Sequence, residues 1–161
     1  MLPSVCAVRT SAEIACARRL LERYAAFVES LGASLCFQDF ASELAGLPGP
    51  YMPPAGALWL GWIGPEPVGT IAVKPLTSPH TCEMKRLWVE PGARGSGLGK
   101  ALAETSIDFA RAAGYRLMRL DTLAERMPRA VALYRSLGFV DCAPYVHNPE
   151  ADALFLELRL S

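Results

Sequence analysis

The residues with the clearest chemical meaning form a glycine-rich segment, Arg94-Gly95-Ser96-Gly97-Leu98-Gly99-Lys100. It follows an apolar run, Leu87-Trp88-Val89, and leads into a helical pattern that begins near Leu98. Because glycine has no Cβ, backbone N–H groups in such a turn can approach an anion closely. The helix adds unpaired N–H groups and the positive end of its dipole. With the permanently charged guanidinium of Arg94, the segment predicts a pyrophosphate-binding loop.

The spacing within this loop excludes two well-known phosphate motifs. A Walker A loop needs a glycine five residues before its Gly-Lys pair and Ser or Thr after it, but those positions hold Arg94 and Ala101. A dinucleotide fingerprint needs its third glycine where Lys100 stands, and it belongs at the first strand–helix turn of a chain. The remaining pattern is Arg-x-x-Gly-x-Gly, formed by Arg94, Gly97 and Gly99.

The elements that would position the loop follow from the spacing of apolar residues. Strands are predicted over residues 4–9, 57–63, 68–76, 81–89, 115–120, 139–142 and 153–160. Helices are predicted over residues 11–31, 34–45, 98–113 and 128–138. The order β-α-α-β-β-β-α-β-α-β-β predicts one mixed α+β domain over residues 1–161. A doubly wound sheet would instead alternate strand and helix throughout.

The composition agrees with a small soluble enzyme. A chain of 161 residues suits one domain, and its 16 basic and 16 acidic side chains cancel, so no nucleic-acid or membrane partner is expected. The apolar stretches are too short to span a bilayer, and the N-terminus lacks a secretory pattern, which makes the cytoplasm the expected location. The five cysteines are scattered and odd in number, which predicts neither a disulfide framework nor a metal site.

Three segments together carry a resemblance to a known family. Cys82-Glu-Met-Lys-Arg-Leu-Trp-Val-Glu-Pro91, then Arg94 to Gly99, then Ala132-Leu-Tyr-Arg-Ser-Leu-Gly-Phe139 resemble consecutive signatures of the GCN5-related N-acetyltransferases (GNAT superfamily). Leu120-Asp121-Thr122 adds a likeness to bacterial members that carry LDT after the loop. The resemblance implies the GNAT acyl-CoA N-acyltransferase fold, with a mixed central sheet of about seven strands and about four helices. It also implies acetyl-CoA as cosubstrate and no metal.

The same resemblance implies the activity and the roles of several residues. An acetyl group would pass from acetyl-CoA to a primary amine of a small molecule, amino acid or peptide, by direct attack in a ternary complex. The backbone of Leu87 and Val89 would bind the acetyl carbonyl and the pantetheine amides, although both residues could simply be core strand residues. Tyr134 would protonate the leaving thiolate, and the alternative for Tyr134 is an amphipathic core tyrosine.

Glu83 is the candidate general base. Strand alternation places Glu83, Lys85, Leu87 and Val89 on one face of the sheet, with Cys82, Met84, Arg86 and Trp88 on the other. Glu83 would then share a face with the acetyl-binding backbone. The alternative is a structural ion pair with a neighbouring cation, because a buried carboxylate is costly unless it is paired.

The acceptor amine and the partners remain open at this level. Asp39 and Glu43 are four residues apart, so they could share a helix face that attracts a cationic amine or is merely solvated. Asp121 could bind an amine or cap the following segment. Two other functions remain: a non-catalytic acyl-CoA sensor, or a protein that binds another nucleotide through its glycine loop. Unpaired sheet edges are compatible with a homodimer.

Overall fold

A computed structural model of the protein describes residues 2–35 and 39–160, and its core is one sheet of seven strands. The strands are β1 Pro3–Ala7, β2 Ala57–Ile63, β3 Glu66–Pro75, β4 Thr81–Val89, β5 Leu117–Leu123, β6 Val140–Asp141 and β7 Ala153–Arg159. The helices are α1 Ser11–Ser30, α2 Phe40–Ala45, α3 Leu98–Ala112 and α4 Pro128–Ser136. The element order is the predicted one, and the mixed sheet confirms the predicted fold class.

The strand order in the sheet is β1-β2-β3-β4-β5-β7-β6. Every neighbouring pair is antiparallel except β4 and β5, which are parallel because α3 carries the chain back between them. The one parallel pair lies near the middle of the sheet. The glycine loop connects β4 to α3, so it lies at the end of β4 beside this parallel pair.

Local sequence signals explain where the helices begin. Thr10 caps α1, since its side chain accepts a hydrogen bond from the Glu13 amide and the Glu13 carboxylate accepts from the Thr10 amide. Helix α4 begins at Pro128, whose fixed φ and missing N–H suit a first helical position. Helix α3 follows Gly97, which adopts a φ of 89° and provides no side-chain cap. Of the first amide groups of α3, that of Leu98 donates to the Ser96 hydroxyl at 3.3 Å, and the N-cap residue Gly97 supplies no side-chain acceptor.

Apolar residues form two cores, one on each face of the sheet. Helices α3 and α4 pack on one face, where Leu98, Leu102 and Tyr134 join strand residues such as Met118. Helices α1 and α2 cover the other face, where the core includes Leu21, Phe40 and Trp88. A sheet covered on both faces explains why most of β2 and the middle of β3 are buried. No helix among the described residues is both long and apolar enough to cross a membrane.

The second helix differs from its prediction. The sequence pattern indicated a helix over residues 34–45, but α2 covers only Phe40–Ala45, and Cys36, Phe37 and Gln38 lie outside the described residues. Asp39 precedes the helix with a φ of 55°, so Asp39 and Glu43 do not form the predicted pair on one helix face. Glu43 instead forms an ion pair with Arg86 of β4. The suggested cation-attracting face is therefore wrong.

Candidate active site

The site begins where β4 and β5 separate. The two parallel strands pair only through Thr81, Cys82 and Glu83, although β4 continues to Val89 and β5 continues to Leu123. Within the described residues, the stretch 84–89 therefore pairs with β3 on one side and has no strand partner on the other. A gap opens between β4 and β5, and backbone groups along its edge are available to a ligand.

A β-bulge in β4 determines which backbone groups face this gap. Ala72 of β3 pairs with Lys85 and Thr70 pairs with Trp88, so two residues of β4, Arg86 and Leu87, oppose the single residue Ile71. Past the bulge, the Glu90 amide donates to the Val68 carbonyl of β3 at 2.8 Å. Successive strand residues direct their backbone groups to opposite edges. The N–H and C=O groups of Val89 and Leu87 are therefore directed toward the gap.

The bulge also overturns the predicted faces of β4. Arg86 has a φ of 62°, and the extra residue shifts the alternation by one position. Leu87 and Val89 pack against the core beneath α3, as Cys82 and Met84 do. Trp88 lies on the other face against α1. Glu83 and Lys85 therefore do not share a face with Leu87 and Val89, and the prediction from simple alternation is wrong.

A large cleft of about 410 Å³ runs from the end of β4 toward α4. We call it the outer cleft. Most of the predicted ligand-binding residues lie on its wall: Leu87, Trp88, Val89, Arg94, Gly95, Gly97, Gly99 and Lys100. Ser96 and Leu98 are absent from this wall. The Leu98 side chain is buried in the core, and its amide donates to the Ser96 hydroxyl at 3.3 Å.

The glycine loop has the conformation that its composition predicts. Gly95 and Gly97 adopt φ values of 85° and 89°, and no atom lies within 4 Å of a Cβ built on either residue. The Arg94 guanidinium lies over the rings of Phe27 and Trp88, and its Nε donates to the Val89 carbonyl at 3.2 Å. Lys100 pairs with Glu104 on the surface of α3 at 3.6 Å.

A smaller cavity of about 80 Å³ continues from the outer cleft into the gap between β4 and β5. We call it the inner pocket. The two spaces share Tyr24, Leu87, Met127 and Ala130 on their walls. Tyr134 lies on the wall of the inner pocket, 8% exposed, with its ring 5.9 Å from that of Phe139. Burial raises the pKa of the Tyr134 hydroxyl, so this group keeps its proton.

Glu83 has polar contacts that account for its burial. It is 2% exposed, and its Oε2 accepts a hydrogen bond of 2.6 Å from the Tyr145 hydroxyl. Its Oε1 lies 3.9 Å from Lys74 Nζ and 3.8 Å from Lys85 Nζ. Glu83 is not on the wall of the outer cleft or of the inner pocket. These contacts favour the ion-pair interpretation of Glu83.

Asp121 is a carboxylate on the wall of the inner pocket. It lies near the end of β5, past the last residue that pairs with β4. Asn148 donates to its Oδ2 at 3.0 Å. Its charge also contributes to raising the pKa of the buried Tyr134 and Tyr24. Asp121 therefore presents a half-buried carboxylate close to both tyrosines.

The chain segment between β6 and β7 contributes residues that the sequence pattern did not reveal. Tyr145 binds Glu83, Asn148 binds Asp121, and Glu150 binds Arg126 at 2.8 Å. Asn148 and Glu150 also lie on the wall of the inner pocket. Nothing in this irregular segment has a period, so only the Pro-Tyr-Val-His-Asn-Pro composition distinguished it from an ordinary loop.

Comparisons with known proteins agree with this geometry. The model of the Acetyltransferase (GNAT) family matches residues 37–139. An uncharacterized N-acetyltransferase of Schizosaccharomyces pombe is 36% identical over 159 residues, which are 98% of this chain and 95% of the relative. An N-acetylaspartate synthetase of Danio rerio is 34% identical over 128 residues, which are 74% of this chain but only 45% of the relative.

A solved structure extends the likeness to the whole fold. A GNAT-family acetyltransferase from Staphylococcus aureus superposes with a TM-score of 0.79 over 99% of both chains at 18% identity. At this identity the likeness concerns the fold alone. The agreement includes the part of the chain before residue 37, which the family model does not reach.

Proposed function

The chain belongs to the acetyltransferase (GNAT) family, and from that premise we propose that it transfers the acetyl group of acetyl-CoA to a primary amine held in the inner pocket. The observation that carries this proposal is the junction of the two spaces. Residues suited to a pyrophosphate and a pantetheine arm line the outer cleft, and Tyr134 and Asp121 line the pocket that opens from it.

The residues of the outer cleft fit acetyl-CoA. The loop from Gly95 to Gly99 suits the pyrophosphate, because its backbone is open and it leads into the N-terminal end of α3, whose N-cap residue is a glycine. The backbone of Leu87 and Val89 suits the amides of the pantetheine arm and the acetyl carbonyl. The Trp88 indole N–H is buried without a hydrogen-bond partner among the described residues, although Trp88 lies on the cleft wall. A buried donor without a partner indicates that a polar ligand group belongs nearby.

We propose the following roles for the side chains of the inner pocket. Asp121 binds the acceptor as its ammonium ion and takes up one proton, directly or through water, which frees the nitrogen lone pair. That lone pair forms the C–N bond as the C–S bond breaks, and the nitrogen then releases its second proton to solvent, which gives a neutral amide. Asp121 releases the first proton to solvent. The departing thiolate takes the proton of the Tyr134 hydroxyl, and solvent returns a proton to Tyr134. Glu83 remains a candidate base, but its contacts with Tyr145, Lys74 and Lys85 support a positioning role.

The acceptor is proposed to be a small primary amine, such as an amino acid. The pocket has the Asp121 carboxylate for an ammonium group, and its volume of about 80 Å³ limits the part of the acceptor that enters. The Danio rerio relative is named for a product formed on an amino acid, which supports the same class. A cytoplasmic location and a homodimer, expected from the sequence, stay predictions. Among the described residues no group of His, Cys, Asp and Glu has the arrangement of a metal site.

Release of the CoA thiol across a panel of amines, amino acids and short peptides tests the proposal. We expect release that depends on one class of acceptor and that falls strongly in Tyr134→Phe. The sensor alternative is less well supported, because the Schizosaccharomyces pombe relative is named as an N-acetyltransferase. Tight binding of acetyl-CoA with no thiol release from any acceptor would favour the sensor. Displacement of acetyl-CoA by ATP or NAD would favour a different nucleotide.

A further inference from the structure

Arg86 combines a buried charge with an unusual backbone conformation at the point where β4 enters the gap. Its side chain is 2% exposed, and its φ of 62° lies in the left-handed region. Residues other than glycine adopt this region rarely, because the Cβ then crowds the backbone. Such a conformation persists only when the surrounding structure holds it. The neighbours of Arg86 should therefore include the group that holds the bulge.

Glu43 of α2 provides that hold. Arg86 Nε donates to Glu43 Oε2 at 2.8 Å, and Arg86 Nη2 donates to Glu43 Oε1 at 2.8 Å. The guanidinium also lies 4.9 Å above the ring of Phe40, at the start of the same helix. Burial opposes the charge on Glu43, but the hydrogen bonds and charge of Arg86 outweigh it and hold the Glu43 pKa below its usual value. Because two hydrogen bonds join them, the Arg86 guanidinium and the Glu43 carboxylate are fixed in relative orientation as well as in distance.

The bulge that Arg86 occupies aims the backbone of the next residues. The Arg86 carbonyl accepts a hydrogen bond of 2.9 Å from the Thr70 hydroxyl, and the register slips by one residue at this point. If β4 relaxed into regular pairing, the alternation beyond residue 86 would reverse. The Leu87 amide would then face β3 rather than the gap. The orientation of this amide thus depends on the strained conformation of Arg86.

We propose that Glu43 is a positioning residue, whose pair with Arg86 holds the β4 bulge so that the Leu87 amide faces the acetyl carbonyl. The inference rests on the proposed function for the identity of that carbonyl. Arg86 itself lines the inner pocket, so the ion pair joins α2 to the wall of the pocket proposed to hold the acceptor.

A matched pair of double variants tests the proposal. Glu43→Gln/Arg86→Ala and Glu43→Gln/Arg86→Gly both lack the ion pair and both avoid an unpaired buried charge. They differ by one methyl group, and only glycine adopts a φ near 62° without strain. We expect the glycine variant to keep most of the wild-type kcat. In the alanine variant kcat should fall by about 10-fold to 100-fold, an effect no larger than that of removing one oxyanion-hole donor. The KM for acetyl-CoA should stay nearly unchanged.

Two further measurements separate this role from general stabilisation. Glu157→Gln removes a charge from the pair that joins Arg119 of β5 to β7 at 3.3 Å, away from both spaces, and should leave kcat unchanged. The second measurement is the hydrogen-exchange rate and the NMR chemical shift of the Leu87 amide in the protein without CoA. Both should match wild type in the glycine variant, and both should differ from wild type in the alanine variant. Equal kcat and equal Leu87 spectra in the two double variants would overturn the proposal.

The amide measurement also distinguishes this proposal from the proposed function. If wild-type protein acetylated no amine, the proposed function would fail. The Leu87 spectra of the two variants would still show whether the Arg86 conformation sets the direction of that amide. If wild type were active and the two double variants had the same kcat, the proposed function would stand and the positioning role of Glu43 would be rejected.

Discussion

The hydroxyl of Tyr145 donates a hydrogen bond of 2.6 Å to the Glu83 carboxylate, from a position 62 residues later in the chain. This bond fixes the segment between β6 and β7 against β4. It also occupies one oxygen of the carboxylate that the sequence suggested as a general base, while Lys74 and Lys85 lie near the other. The two carboxylates therefore have different surroundings. Glu83 binds structural neighbours, and Asp121 lies on the wall of the inner pocket.

Asp121 and Glu83 should respond differently to neutralisation. Asp121→Asn should lower kcat/KM for the amine by about 100-fold, because the acceptor ammonium loses its counter-charge and its proton acceptor. Glu83→Gln should mainly lower the melting temperature, since Lys74 and Lys85 lose a buried partner. Steady-state kinetics and thermal unfolding of both variants check this. A large kinetic defect in Glu83→Gln with an unaffected Asp121→Asn would reverse the assignment.

Tyr134→Phe should lower kcat by about 100-fold, the range of general acid catalysis, without weakening CoA binding. Because burial raises the Tyr134 pKa, its hydroxyl should stay protonated. At pH values up to about 9, wild-type kcat should therefore not decline through loss of this proton. A pH–rate profile measures this. Tyr115→Phe is the control, since the Tyr115 hydroxyl binds the Ala55 carbonyl away from both spaces. Equal rates for Tyr134→Phe and wild type would remove the acid role.

Gly97→Ala should weaken the affinity for CoA by about tenfold or more. Its φ of 89° strains any residue with a Cβ, so the loop must distort where it would hold the pyrophosphate. Gly92→Ala is the matched control, because Gly92 lacks a positive φ and has no atom within 4 Å of a built Cβ. Calorimetric titration with CoA compares the two variants. The phosphate role of the loop would be contradicted if both bound CoA like wild type.

Asp152 gives the fold a dependence on acidic pH. Hydrogen bonds from Arg126 lower the Asp152 pKa to about 2, below the value of about 3.9 expected in the unfolded chain. The contribution of this pair is therefore present above about pH 4 and is lost as the pH falls toward 2. Asp152→Asn should reduce the free energy of unfolding by at most about 1 kcal/mol at neutral pH, because solvent screens the partly exposed pair. Urea unfolding should show that this difference shrinks with acidification, whereas a constant difference would exclude the charge effect.

The sequence predicted the parts of the protein that leave a local pattern. The period of apolar residues revealed the element order, and the glycines at positions 95 and 97 marked the places where the loop needs a positive φ. The bulge in β4 could not be predicted, because an arginine in the sequence does not indicate a left-handed backbone conformation. Simple alternation therefore assigned the wrong faces to the residues beyond Arg86.

Contacts between segments that are distant in the chain could not be predicted for a different reason. Glu43 and Arg86 are 43 residues apart, and Glu83 and Tyr145 are 62 residues apart. Neither pair has a spacing that a helix or strand period could reveal. The glycine loop could therefore be assigned from the sequence, but the choice between Asp121 and Glu83 required the sheet register and the docked segment between β6 and β7.

The most direct test follows the acetyl carbon itself. Acetyl-CoA labelled with ¹³C at the carbonyl is mixed with the protein and an amine, and NMR follows the label. An amide carbonyl signal should appear at the rate at which the thioester signal is lost, and this transfer should slow greatly in Asp121→Asn and Tyr134→Phe. Conversion of the label only to acetate, at a rate independent of any amine, would contradict the proposed transfer.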